Sequence, residues 1–251
     1  MRELDPLDLL KIYQGQSIDF YRFSGNYGDS LIWHGTKILL SSLNIFESYV
    51  DLESPQHNKI LFIDGGGNFV NYYNDVYNFL IKKSYLYEEI IILPHTIFGK
   101  RQIDLLNSIH GNLTVFCREK VSAGFVGERL RHGKSYLWHD CAFYNSFGQS
   151  PEGEGTLQAF RIDRESINKK IPNSNIDVSY NGYAKKPLNE FLETLTKYKQ
   201  VDTDRLHVAI GAALLGKEVK LFPNSYYKNK EVFDYSLARF PKVSFVDSFK
   251  I

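Results

Sequence analysis

The segment Thr203-Asp204-Arg205-Leu206-His207 runs directly into Val208-Ala209-Ile210-Gly211-Ala212-Ala213-Leu214-Leu215-Gly216, and it gathers a guanidinium and an imidazole at the start of one helix. Leu206, Ala209, Ile210, Ala213 and Leu214 recur at helical spacing and form a single apolar face. Asp204 or Thr203 is the expected N-cap, and Gly216 the expected stop. Arg205 and His207 then fall in the first turn, off the buried face. Cations there oppose the helix dipole, which a sequence built only for stability would avoid. The same place suits an anion, because free backbone N–H groups, the dipole and two basic side chains converge on it. The plainer alternative is a helix start carrying two exposed basic residues.

Two glycine-rich segments point the same way. Ser17-Ile18-Asp19-Phe20-Tyr21-Arg22-Phe23 reads as a strand, Ser24-Gly25-Asn26-Tyr27-Gly28-Asp29 as a turn, and Ser30–Leu43 as a helix. This strand–glycine loop–helix unit lets backbone approach a ligand and aims a helix N-terminus at it. No Gly-Lys-Ser/Thr follows, and no G-x-G-x-x-G is present, so it is neither a P-loop nor a dinucleotide fingerprint. Lys59-Ile60-Leu61-Phe62-Ile63 is a second strand, ending in Asp64-Gly65-Gly66-Gly67-Asn68 before a helix from about Val70. Three consecutive glycines carry a backbone-entropy penalty, which close approach to a ligand would justify.

The elements that must position these residues alternate. Strands are expected near 18–23, 59–63, 89–93 and 113–117, with helices near 30–43, 71–84, 100–109 and 119–130. Such alternation implies a parallel sheet covered on both faces, with ligands at the carboxyl ends of the strands. Asn145–Gly155 reads as a linker. A smaller α/β unit follows: a strand at Thr156–Arg161, helices at about 186–198 and 205–215, a strand at 218–222, a helix near 230–238 and a strand at 242–246. The expected organisation is therefore an N-terminal α/β domain over 1–145 and a C-terminal one over 146–251, two Rossmann-like units with a cleft between them. Arg161, Asp163 and Glu165 read as a solvated edge of the second unit's first strand.

A formal net charge of +1, from 30 basic and 29 acidic residues, argues against bulk electrostatic binding to nucleic acid. Cys117 and Cys141 make neither a disulfide framework nor a Cys-x-x-Cys pair, and Cys117 reads as a core thiol. The seven histidines form no H-x-x-x-H pattern, so no metal is expected. The start does not read as a signal peptide, and the longest apolar run is too short to span a bilayer. A soluble cytoplasmic protein is expected, with peripheral contact at the inner membrane face left open.

These landmarks together resemble the polysaccharide pyruvyl transferase family. The matching residues are Gly25-Asn26-Tyr27-Gly28-Asp29, Gly65-Gly66-Gly67-Asn68, Pro94-His95-Thr96, Arg118-Glu119 with Ser122, Asp140, Asp204-Arg205-Leu206-His207, and Asn224-Ser225-Tyr226-Tyr227-Lys228. Each motif is short; their order and spacing over most of the chain carry the resemblance. It implies a GT-B-like fold and transfer of the enolpyruvyl group of phosphoenolpyruvate to a sugar, giving a cyclic ketal and phosphate, with no further cofactor. The acceptor would be a surface polysaccharide or its precursor, free or lipid-linked.

The family's Arg-Leu-His motif, associated with donor binding and catalysis, maps onto Arg205, Leu206 and His207. Phosphoenolpyruvate carries a carboxylate and a phosphate close together and needs cationic forks, for which Arg205 and Arg118 are the candidates. Gly65, Gly66, Gly67 and Asn68 join them on the donor side, Asn68 having a second reading as holder of a sugar hydroxyl. A histidine can deliver the proton needed at C3 near neutral pH, and His207 is the candidate acid. Asp29 and Asp140 are candidate bases. Asn26, His95 and Asn224 are candidates on the acceptor. Asp29 has the alternative role of capping the helix from residue 30, Arg118 of pairing with a carboxylate, and Asp140 of capping a turn. The competing functional readings are a GT-B-like glycosyltransferase using a nucleotide sugar, and a non-catalytic sugar- or phosphate-binding protein.

Overall fold

A computed structural model of the 251-residue chain describes residues 5–148, 150–167, 171–179 and 188–247. Two compact units emerge: Met1–Phe23 with Gly35–Tyr144, and Ser24–His34 with Asn145–Ile251.

The first unit is built on a parallel sheet. Its strands are β1 (Ser17–Tyr21), β2 (Phe46–Val50), β3 (Ile60–Ile63), β4 (Gly66–Val70), β5 (Glu89–Phe98), β6 (Asn112–Cys117) and β7 (Lys134–Leu137). They lie in the order β2-β1-β3-β5-β6-β7, with β4 pairing β5. Leu61, Phe62 and Ile63 of β3, and Ile90, Ile91, Ile92 and Leu93 of β5, are fully buried. Such uninterrupted apolar runs belong to strands covered on both faces. The helices are α1 (Pro6–Lys11), α2 (Tyr27–Ser42), α3 (Asp75–Lys83), α4 (Lys100–Leu106) and α5 (Lys120–Arg129). The division between the units falls inside α2, between His34 and Gly35.

The expected glycine segment is strand, β4, which ends at Val70, and the helix expected near 71–84 forms as α3, beginning at Asp75. The strand expected near 89–93 runs on through Pro94-His95-Thr96: β5 pairs β3 through Ile92 and then pairs β4 from His95 to Phe98. Proline has no N–H to donate, and Pro94 sits in the register shift between Ile92 and His95. On the neighbouring strand the jog is made by Asp64 and Gly65, followed by Gly66 at φ 143°, a backbone region open mainly to glycine.

The second unit carries a four-stranded parallel sheet, β11-β10-β9-β8, from β8 (Thr156–Ala159), β9 (Gln200–Thr203), β10 (Glu218–Leu221) and β11 (Val243–Phe245). Its helices are α6 (Leu188–Thr196), α7 (Leu206–Leu214) and α8 (Lys228–Tyr235). β2, β7 and β9 were not among the expected strands. The stop of α7 forms as expected: Gly216 takes φ 76°, Lys217 N–H donates to Ala212 O (3.0 Å), and Gly216 N–H donates to Ala213 O (3.0 Å). That is the Schellman arrangement, in which a left-handed residue satisfies the last carbonyls.

Candidate active site

The start of α7 differs from its expected form in one respect. Arg205 is itself the N-cap, and its N–H donates to Thr203 Oγ1 (3.0 Å). Asp204 does not cap; its Oδ1 accepts from the N–H of Arg161 (2.7 Å), tying α7 to the segment after β8. Arg205 is buried, at 6% exposure, rather than displayed. Its Nε and Nη2 form a bidentate pair with Asp177 (Nη2 to Oδ2 2.6 Å), and Nη2 also donates to Asp163 Oδ2 (3.0 Å). Among the described residues, Nη1 makes no hydrogen bond.

His207 follows two residues later and is half-buried. A Cβ at Gly28 would lie 2.9 Å from both Cβ and Nδ1 of His207. Only glycine lets the first turn of α2 lie against the imidazole. The Gly25–Asp29 loop therefore belongs to the second unit and meets the Arg-Leu-His turn within it.

Asn26 and Asp29 cap α2 reciprocally. Asn26 Oδ1 accepts from Gly28 N–H (2.7 Å), and Asp29 Oδ2 accepts from Asn26 N–H (2.8 Å). This is a capping-box arrangement, with each side chain satisfying an orphan donor at the helix start. A Cβ at Gly25 would collide with the Asp29 carboxylate. Asn26 is thus engaged by backbone; Asp29 uses one oxygen in the cap.

Arg161, Asp163 and Glu165 are not a solvated edge. Arg161 and Glu165 are buried, and Glu165 Oε2 accepts from Arg161 Nη1 (2.7 Å), Lys228 Nζ (2.7 Å) and Asn224 Nδ2 (3.1 Å). Asn224 is accordingly held inside this hub rather than displayed to an acceptor. Arg161 also pairs with Asp163 through Nε (2.7 Å). Burial by itself would lower the Arg161 pKa, but the two carboxylates outweigh it and hold the guanidinium charged. Asp163, despite burial, is held below the ordinary carboxylate range by Arg161 and Arg205.

Asp204 behaves in the opposite sense. Burial pushes its pKa from 3.8 up to about 6, against the pull of Arg161 and Arg205, and its Oδ2 has no partner among the described residues. A carboxyl whose folded pKa exceeds its unfolded value binds more protons when folded. Its contribution to stability is complete below 3.8 and is lost as pH rises towards about 6. Asp204→Asn keeps an oxygen for the Arg161 N–H. This substitution is expected to flatten the fall in stability across that window, as measured by urea unfolding at a series of pH values. An unchanged profile would contradict the assignment.

In the first unit the glycine run serves a protein side chain. Arg118 is 1% exposed. Its Nη1 donates to Asp140 Oδ2 (2.7 Å), its Nε to Thr96 Oγ1 (2.9 Å), and a Cβ at Gly67 would come within 3.0 Å of Nη2. Gly67 thus admits the Arg118 guanidinium. Asp140 Oδ1 accepts from Ala142 N–H (2.8 Å), so this carboxylate is held by an ion pair and a turn. Asn68 turns towards α3, donating to Asp75 Oδ2 (2.8 Å) and accepting from Val76 N–H (3.2 Å). Glu119 caps α5 through Ser122 N–H (2.8 Å), and Ser122 Oγ in turn accepts from Ile97 N–H (2.8 Å).

His95 is fully buried. Burial first, and then the Arg118 charge, lower its pKa to about 3, so the imidazole is neutral at physiological pH. Its Nδ1 lies 3.3 Å from Leu93 O, and its Nε2 has no partner among the described residues. With the proton on Nδ1, Nε2 is a buried acceptor without a donor.

Among the described residues no group of three or more His, Cys, Asp or Glu is arranged to hold a metal ion, and no helix is long and apolar enough to cross a membrane. Cys117 and Cys141 are free and buried.

Compared with known sequences, residues 26–226 match the model of the polysaccharide pyruvyl transferase family. The chain belongs to that family. The matched span runs from Asn26 through Tyr226 and so contains the α2 cap, the Arg118–Asp140 pair and the Arg-Leu-His turn. The chain is also 25% identical to "Putative pyruvyl transferase EpsO" of Bacillus subtilis (strain 168), over 85% of this chain and 82% of that protein. In fold it is similar to an uncharacterized protein of Klebsiella pneumoniae subsp. pneumoniae NTUH-K2044 whose crystal structure is known, with TM-score 0.82, 29% identity, and coverage of 96% of this chain and 97% of that one. The parallel sheets flanked by helices are compatible with a Rossmann- or GT-B-like fold. A polysaccharide pyruvyl transferase acts in polysaccharide biosynthesis, which implies a polysaccharide acceptor.

Proposed function

We propose that the chain transfers the pyruvyl group of phosphoenolpyruvate, as a cyclic ketal, to a sugar of a surface polysaccharide or its precursor. The observation that carries this reading is the packing of His207 against Gly28, two residues after an arginine held in place by two carboxylates. A sugar hydroxyl adds to C2 of phosphoenolpyruvate, its proton passing to a base, while an acid protonates C3 to a methyl group. A second hydroxyl then bonds to C2 as the C2–O bond to phosphate breaks, its proton leaving with the phosphate, and the cyclic ketal closes. His207 is the acid. Arg205, through Nη1, holds the donor anion at the start of α7.

Asp29 is the base in this reading, because its Oδ2 alone is used by the cap. Asp140, locked to Arg118 and to a turn, is set aside. Asn at this position keeps a side-chain oxygen to accept from the Asn26 N–H. Asp29→Asn is therefore expected to keep the folding midpoint and lose activity. If the variant turns over like the wild type, Asp29 is only a cap.

A ligand that binds only the folded protein raises its stability, by about 2.7 kcal/mol at a hundred times its dissociation constant. Phosphoenolpyruvate is expected to raise the melting temperature in this way, and nucleotide sugars to do so less. A strong shift with a nucleotide diphosphate and none with phosphoenolpyruvate would favour the glycosyltransferase reading instead.

A further inference from the structure

Sequence reading places Arg205 at the donor but says nothing of what aims it. A lone guanidinium at a helix start has several rotatable bonds and no fixed plane. Here Asp177 binds it side-on through two oxygens, and Asp163 takes the second hydrogen of Nη2. The Arg205 and Asp177 side chains are 6% and 4% exposed, so the pair is largely out of water. Asp177 is itself anchored, since its Oδ2 accepts from the N–H of Ile162 (3.0 Å). Asp163 is fixed by Arg161 through two further bonds. The two carboxylates use Nε and Nη2, and the edge that remains is Nη1.

We propose that Asp177, assisted by Asp163, is a positioning residue for the transfer reaction: it fixes the plane of Arg205 so that Nη1 is presented to the donor anion. This rests on the reading of Arg205 as a donor-binding residue. The opposite possibility is a latch, in which Asp177 occupies the fork and the donor must displace it. Separating a desolvated bidentate pair is strongly unfavourable, because it leaves an uncompensated buried charge. The anchoring of both carboxylates by other groups also resists displacement.

The test is a double-mutant cycle on steady-state kinetics with phosphoenolpyruvate and a saccharide acceptor, run at a temperature where every variant is folded by circular dichroism. Asp177→Asn keeps one acceptor oxygen and loses the two-oxygen fit. In the wild-type background it is expected to raise KM for phosphoenolpyruvate about tenfold or more, equivalent to about 1.4 kcal/mol, with KM for the acceptor unchanged. In an Arg205→Lys background, which has no fork to orient, the same substitution is expected to have little effect. A lowered KM for phosphoenolpyruvate in Asp177→Asn would reveal a latch and overturn the proposal. An equal loss in both backgrounds, or none in either, would also overturn it. Should Asp177→Asn fail to fold, Asp163→Asn carries the same cycle, with a smaller loss in the same direction and the same contradicting outcomes. If the wild type releases no phosphate from phosphoenolpyruvate, the donor reading fails first and this proposal falls with it.

Discussion

Replacing His207 with Asn is expected to reduce turnover by about a hundred- to ten-thousand-fold, the usual contribution of a positioned proton donor. Asn fills similar space and can hydrogen-bond, but it cannot pass a proton near neutral pH. The imidazole is half-buried on the first turn of α7 and lies against the backbone of Gly28, so the substitution leaves the helix and its packing in place. The melting temperature is therefore expected to change little. The measurement is turnover at saturating phosphoenolpyruvate beside a thermal melt. Near-wild-type turnover would move the acid elsewhere. A large loss of stability would mean that His207 acts mainly in packing.

The second large effect is expected on stability rather than chemistry. Arg118 and Asp140 are 1% and 0% exposed and pair at 2.7 Å. Removing one member of a buried pair leaves the other charged in a poor solvent, with a typical penalty of about 3–5 kcal/mol. Arg118→Leu is expected to destabilise by that order in urea unfolding. The double variant Arg118→Leu with Asp140→Leu is expected to recover part of the loss, because no buried charge is then orphaned. A single-variant effect of about 0.5 kcal/mol, the scale of an ordinary surface change, would contradict this assignment. Arg118 was expected to be a donor fork; with Thr96, Asp140 and Gly67 around it, its evident work is to hold the carboxyl-end extension of β5 to the segment after β7.

Much of the local architecture was legible because it is written in short-range chemistry. The apolar spacing from Leu206 to Leu214 and the glycine after it define α7 and its Schellman stop. The Ile-rich run of β5 marks a strand covered on both faces. What failed was wherever a residue's partner lay far along the chain. The strand expected near 89–93 runs on past Pro94, because a second strand, β4, takes over pairing there and was hidden in a glycine run that resembled a ligand loop. Three glycines looked like room for a ligand, and at Gly67 the space is needed by Arg118. Arg161, Asp163 and Glu165 looked solvated because alternating charges usually are. Their burial depends on Lys228 and Asn224, 63 and 59 positions from Glu165, and the aim of Arg205 depends on Asp177, 28 positions away. Asp177 sits in Asn173-Ser174-Asn175-Ile176-Asp177, which carries no local signal of an ion-pair partner.

The placement of the Gly25–Asp29 loop was also not local information. It follows β1 in sequence and was read with the N-terminal unit, yet Ser24–His34 belongs with Asn145–Ile251. The contact that matters, Gly28 against His207, joins residues from the two ends of the chain.

Whether phosphoenolpyruvate is the donor and a saccharide the acceptor is decided by incubating the protein with phosphoenolpyruvate and a panel of galactose, mannose, glucose and N-acetylhexosamine acceptors, following phosphate release together with the mass of each sugar. The predicted result is phosphate release that depends on one acceptor class, matched one to one by a mass gain of a carboxyethylidene group on that sugar. Phosphate release without a modified sugar, or transfer from a nucleotide sugar with phosphoenolpyruvate inert, would contradict it.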